Sequence, residues 1–146
     1  MRKILIILVL SVFTTLFASE INWKKDYNVG MKEAIKYNKP MLFIISNKNC
    51  PPCRRLAKTT LKDAKVIKGL NEDFVSVIAY VNFTNPSSND YVPRELFTGV
   101  TPTIWFMVPS ADIVFDSVKG APNAEAFLDM MSQVNEQANI SRKEKK

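Results

Sequence analysis

The sequence predicts an α/β domain built on one mixed β-sheet, and three observations carry that expectation. Short apolar runs of strand length, Met41–Ile45, Phe74–Val81 and Ile104–Val108, alternate with amphipathic stretches of helical period. Strands joined through helices pair in parallel. The last run is followed by the brief turn Pro109-Ser110-Ala111-Asp112 and a second extended stretch, Ile113–Val118, which predicts an antiparallel hairpin at one edge.

Taken in order, Glu20–Tyr27 holds Ile21 and Trp23 in a partly alternating pattern and predicts a first strand. Asn28 is a candidate N-cap for a helix whose face is Val29, Met31, Ala34, Ile35 and Asn38, ended by Lys39-Pro40. The strand Met41–Ser46 leads into Cys50-Pro51-Pro52-Cys53, and a helix follows to about Leu61. Asp63 reads as the cap of a second short helix, Ala64–Leu70. Phe74–Val81 is a strongly apolar strand, Thr84–Asp90 a polar loop, and Tyr91–Phe97 a short helix with Pro93 in its first turn. Thr101-Pro102-Thr103 opens the strand through Val108. A last helix is expected from Pro122 or Asn123 to about Gln137, striped by Ala124, Phe127, Leu128, Met131 and Val134.

The chain ends divide it into three. Met1-Arg2-Lys3 followed by the almost unbroken apolar run Ile4–Phe17, 14 residues, reads as a secretory signal peptide over 1–18. That run is shorter than the ~20 residues that span a bilayer. Cutting after Ala18 leaves Leu16 where a small residue is preferred, so an uncleaved N-terminal anchor is the alternative. Residues 20–138 form the single domain, and 139–146 are expected to be a charged, disordered tail. The net charge of +6 falls by two, to +4, once Arg2 and Lys3 are removed. Export argues against a nucleic-acid role. The basic balance favours acidic partners or an anionic membrane face only weakly.

Cys50 and Cys53 are the only cysteines, and there is no histidine. Placed at a strand-to-helix turn, such a pair meets the unsatisfied N–H groups and partial positive charge of a helix N-terminus, both of which favour a thiolate. With Cys50 as N-cap, Pro51 and Pro52 are the first two helical residues. The second helical N–H, a usual donor to a cap, therefore does not exist. The N–H of Cys53 remains as the main local donor to the Cys50 sulfur. Cys50 is then the exposed nucleophile and Cys53, one turn in, the buried resolving thiol. A structural disulfide closing so short a loop contributes only about 2 kcal/mol, against roughly 3 for a 15-residue loop. Structural zinc wants four Cys or His ligands. Two-coordinate copper(I) remains open as a binding-module alternative, but no metal is expected at the site.

Cys50-Pro51-Pro52-Cys53, the opening Trp23…Ala34…Asn38-Lys39-Pro40, the Phe74-Val75 strand, Gly99-Val100-Thr101-Pro102-Thr103 and Gly120 stand where the thioredoxin superfamily places such residues, with Pro102 52 positions beyond Cys50. From about Ile21 to Val134 the chain resembles the exported thioredoxin-like proteins of that superfamily. The resemblance implies a thioredoxin-like fold with an N-terminal strand–helix extension. It implies a cis Thr101–Pro102 bond facing the cysteines, and a groove in which Thr101 and Pro102 hold an extended substrate. It implies no cofactor beyond the redox-active Cys50–Cys53 disulfide. Disulfide-bearing proteins are the implied substrates, a membrane-embedded thiol reductant the implied donor, and the periplasm the implied location. A monomer is expected, because no residues are spare for a dimerisation segment. Trp105 and Phe43 are assigned to the core.

Departures from the family are equally informative. Ile44 replaces the buried Asp that reducing members often carry six residues before the first cysteine, and Asn49 replaces their Trp. Strongly oxidising members have His between the cysteines, and Pro52 removes a thiolate donor here. Both favour a reductase or electron carrier. Lys48, Arg54 and Arg55 push toward a disulfide oxidase, the alternative direction, though exposed charges are screened. Cu(I) carriage or thiol-independent peptide binding is the alternative outside enzymology.

Overall fold

The computed structural model describes residues 20–85, 92–110 and 112–144. The expected signal peptide or anchor, most of the Thr84–Asp90 loop, Tyr91 and the last two residues lie outside the described set.

Among the described residues, eleven elements follow in sequence. They are β1 (Trp23–Lys24), α1 (Tyr27–Tyr37), β2 (Met41–Ser46), α2 (Pro51–Lys58), a 3-10 turn (Thr60–Lys62), α3 (Ala64–Asp73), β3 (Val75–Tyr80), a second 3-10 turn (Arg94–Leu96), β4 (Thr103–Met107), β5 (Val118–Lys119) and α4 (Ala124–Glu144). The sheet order is β1-β3-β2-β4-β5. β1, β3 and β2 run parallel, while β4 and β5 are antiparallel to their neighbours. The mixed sheet with an antiparallel edge is the one the sequence predicts.

All six residues of β2 are buried, because helices cover both faces of the sheet. The strand's period of two sends alternate side chains to two cores. Met41, Phe43 and Ile45 join Ala34, Val75, Val77, Trp105 and Met107 on one face. Leu42 and Ile44 join Leu56, Val66, Leu70, Phe106, Phe127, Met131 and Val134 on the other. Phe43 and Trp105 are core residues as expected, and the Trp105 indole N–H donates to Leu96 O at 2.9 Å.

Several boundaries differ from expectation, each for a local reason. The cap of α1 is Asp26 rather than Asn28: the Asp26 carboxylate accepts from Val29 N at 2.9 Å. Asn38 is not on the helical face but is the C-cap, in the left-handed region at φ 51°. The Asp63 cap forms as expected, accepting from Lys65 N and Val66 N, and α3 continues three residues past Leu70. Of Ile113–Val118 only Val118 enters a strand, apart from a single Ile113–Met107 bridge. Phe115 packs its ring 5.6 Å from Phe106, and Val114 N donates to Phe106 O at 3.1 Å. The segment 139–144, expected as a disordered tail, is the end of α4. Ala138 is fully covered, and the Arg142 guanidinium donates to Asn38 O at 2.6 Å, so the last turns have a surface to dock on.

Candidate active site

The carboxyl end of β2 runs into Asn47, whose amide fixes the following turn in two directions. Nδ2 donates to Val81 O at 2.9 Å, and Oδ1 accepts from Asn49 N at 2.8 Å. The Asn47 carbonyl also accepts from Cys50 N at 3.2 Å. The turn is thereby tied to the end of β3 before α2 begins. Sequence reasoning missed Asn47. Its signal was an Asn immediately after a strand, where an Asx turn is favoured.

Cys50 is the N-cap of α2 in extended conformation, with Pro51 and Pro52 as the first helical residues. Its Sγ accepts from Cys53 N at 3.2 Å, the donor left over when Pro52 supplies none. The two cysteines form a disulfide, with Cα atoms 5.2 Å apart. Cys50 is half-buried at the rim, and Cys53 lies beneath it at 4% exposure.

Facing the disulfide is the turn that opens β4. Its Thr101–Pro102 peptide is cis, and Thr101 O lies 3.2 Å from Cys50 Sγ. Thr103 Oγ1 donates to Val100 O at 2.7 Å and meets Thr98 Oγ1 at 2.8 Å, bracing the loop from inside. From the other side Gly120 N donates to Pro102 O at 3.0 Å. Gly120 does so at φ 96°, a conformation that side chains rarely adopt. All six residues singled out from the sequence, Cys50, Pro51, Pro52, Cys53, Thr101 and Pro102, thus converge on one rim of the sheet.

Beneath the rim the surroundings are apolar. Ile44 is fully buried and pairs with Ile78 across β2 and β3. Of the cations near the cysteines, Lys48 lays its Nζ 5.7 Å over the Tyr80 ring, and Arg54 donates to the Lys48 carbonyl at 3.5 Å. Among the described residues no three metal-ligating side chains come together, and no helix is long and apolar enough to cross a membrane.

Residues 27–135 match the family described as thioredoxin-like domain. Among curated proteins, anterior gradient protein 1 of Xenopus tropicalis is 28% identical over 95 residues, 60% of this chain and 49% of that protein. The chain therefore spans about half the length of that relative. A thioredoxin from Thermus thermophilus superposes with a TM-score of 0.66 at 24% identity, over 79% of this chain and 87% of that one. A DsbH oxidoreductase superposes at 0.68 with 11% identity, over 87% and 92%. At these identities the two structures speak for the fold.

Proposed function

The chain belongs to the thioredoxin-like domain family, and from that premise we propose that it is an extracytoplasmic thiol–disulfide oxidoreductase working as a protein-disulfide reductase or electron carrier. The observation that carries this reading is the arrangement at the head of α2. Cys50 stands at the rim with a backbone N–H on its sulfur, and Cys53 is shielded beneath it. That is the division of labour a two-thiol exchange requires.

In the reduced protein the Cys50 thiolate attacks one sulfur of a substrate disulfide. A Cys50–substrate disulfide forms, and the first substrate thiolate leaves and takes up a proton. Cys53, deprotonated, then attacks Cys50 Sγ. The mixed disulfide breaks, the second substrate thiolate leaves and is protonated, and Cys50–Cys53 is oxidised. Two electrons pass from the protein dithiol to the substrate. Thr101 and Pro102 form the wall along which an extended substrate lies, with the Thr101 carbonyl beside the reacting sulfur. Ile44 and Ile78 lie below, and among the described residues no acid is buried to take the Cys53 proton, so water or the departing substrate thiolate takes it. A membrane-embedded thiol donor returns the electrons.

The reductase direction rests on Pro52, on the absence of histidine from the sequence, and on Lys48 resting over Tyr80. Export rests on the N-terminal sequence pattern. Equilibration in thiol buffers of known poise tests the direction. A Cys50–Cys53 potential near or below about −220 mV fits a reductase, and one near about −120 mV makes the protein an oxidase. Cys53→Ala is expected to accumulate mixed disulfides through Cys50. Accumulation by Cys50→Ala instead would reverse the two roles.

A further inference from the structure

Among the described residues, the segments that frame the disulfide carry charge of one sign, with Asp63, Asp116 and Glu125 each one residue outside them. Four segments frame it: the turn and α2 (47–62), the strand end tied to Asn47 (81–85), the braced loop (98–104), and the chain around Gly120 (117–124). None of these contains an aspartate or glutamate.

They do contain cations, placed on both flanks. On one side stand Lys48 and Arg54, whose side chain turns back to the Lys48 carbonyl, followed by Arg55 along the exposed face of α2. On the other side stands Lys119, cross-strand from Thr103 and next to the Gly120 that grips Pro102. All four are exposed, and among the described residues none makes an ion pair; such pairs join Lys24 to Glu33 and Lys62 to Glu20. The acid closest in sequence to the braced loop is Glu95, whose charge also raises the Tyr27 phenol. Two large apolar side chains of these segments are also exposed: Val100, at 44%, precedes the Thr101 whose carbonyl lies 3.2 Å from Cys50 Sγ, and Phe83, at 48%, sets its ring 6.0 Å from that of Phe97.

We propose that this rim selects disulfides carried on acidic segments: an extended chain with Asp or Glu flanking its cysteine and an apolar residue nearby. The inference rests on the reductase reading above and names the substrate class of the same site. Uncompensated cations bracketing a reacting group raise the local concentration of anionic partners and speed their encounter, by ten- to a thousandfold in strongly steered cases, and this gain falls with ionic strength. Exposed apolar side chains on the same segments give the bound chain a contact that salt does not weaken.

The test uses the full chain, reduced beforehand, in single-turnover reactions quenched by alkylation. Three disulfide-linked peptide dimers differ only in the residues flanking cysteine, Asp, Ser or Lys, each with a leucine one position beyond. Bis(2-hydroxyethyl) disulfide serves as the uncharged reference for every variant. The Asp peptide is expected to react about tenfold or more faster than the Lys peptide at low salt, with the gap closing to within about threefold at 0.5 M salt. The double variant Arg54→Glu, Lys119→Glu, which brings the four cations to no net charge, is expected to erase the difference between the Asp and Lys peptides relative to the reference disulfide. If all three peptides react alike and without salt dependence, the acidic selection is overturned while the reductase reading stands. If neither the peptides nor the reference disulfide react, both fall. If the peptides show no charge preference but phosphatidylglycerol vesicles retain the wild type more than the double variant, the rim faces a membrane and the proposal is overturned.

Discussion

At Cys50 the local donors are few. Pro52 has no N–H to offer, Cys53 N supplies the one at 3.2 Å, and the Thr101 carbonyl on the opposite wall is an acceptor that favours the protonated thiol over the thiolate. Pro52→Ala restores the missing donor at the second helical position. A hydrogen bond to a charged group contributes about 1.5–3 kcal/mol. At about 30 mV per 1.4 kcal/mol, the variant's reduction potential should rise by roughly 30–60 mV, since a better-held thiolate makes the dithiol a stronger oxidant. Thiol-buffer titration of both proteins reads this directly, and an unchanged potential would show that the new N–H does not reach the sulfur. This part of the site was legible in the sequence, because proline chemistry at a helix start is local. The hold of Asn47 on Val81 was not, since its partner lies 34 residues away.

At the scale of elements, α1 lies so close to β3 that Gly30 is set by contact. A Cβ there would collide with Val77 Cγ2 and press the Met41 sulfur at 3.2 Å, and both neighbours are buried. Gly30→Ala should therefore destabilise the fold by about 1–3 kcal/mol despite alanine's better helix propensity. Denaturant unfolding measures this, and a gain in stability would mean that the helix can shift off the sheet. The strands themselves were readable because buried runs such as Met41–Ser46 are both apolar and short. Element ends were less so. Asp26 and Asn28 are both cap residues, and only the observed contact to Val29 N decides between them. The end of α4 was invisible for a different reason. A run of lysines, arginines and glutamates reads as solvated, and what orders it is the burial of Ala138 and the reach of Arg142 to a carbonyl 104 residues away.

For the whole molecule, the response to pH reflects the way the α1 face is closed. Burial first, and then the charge of Glu95, raise the Tyr27 phenol above its ordinary value of 10.0. The folded state therefore holds that proton more tightly than the unfolded chain does. The stability so contributed is complete below pH 10 and is lost as the pH climbs from there through the folded value. Tyr27→Phe should lose less melting temperature than the wild type between pH 9 and pH 11; equal losses would show that alkaline unfolding has another source. The sheet carries a further consequence. Its two edges are the two-residue strands β1 and β5. Long bare edges act as templates for cross-β growth. Edges this short leave little strand on which another extended chain can add, so the molecule is poorly seeded into an aggregate of its neighbours.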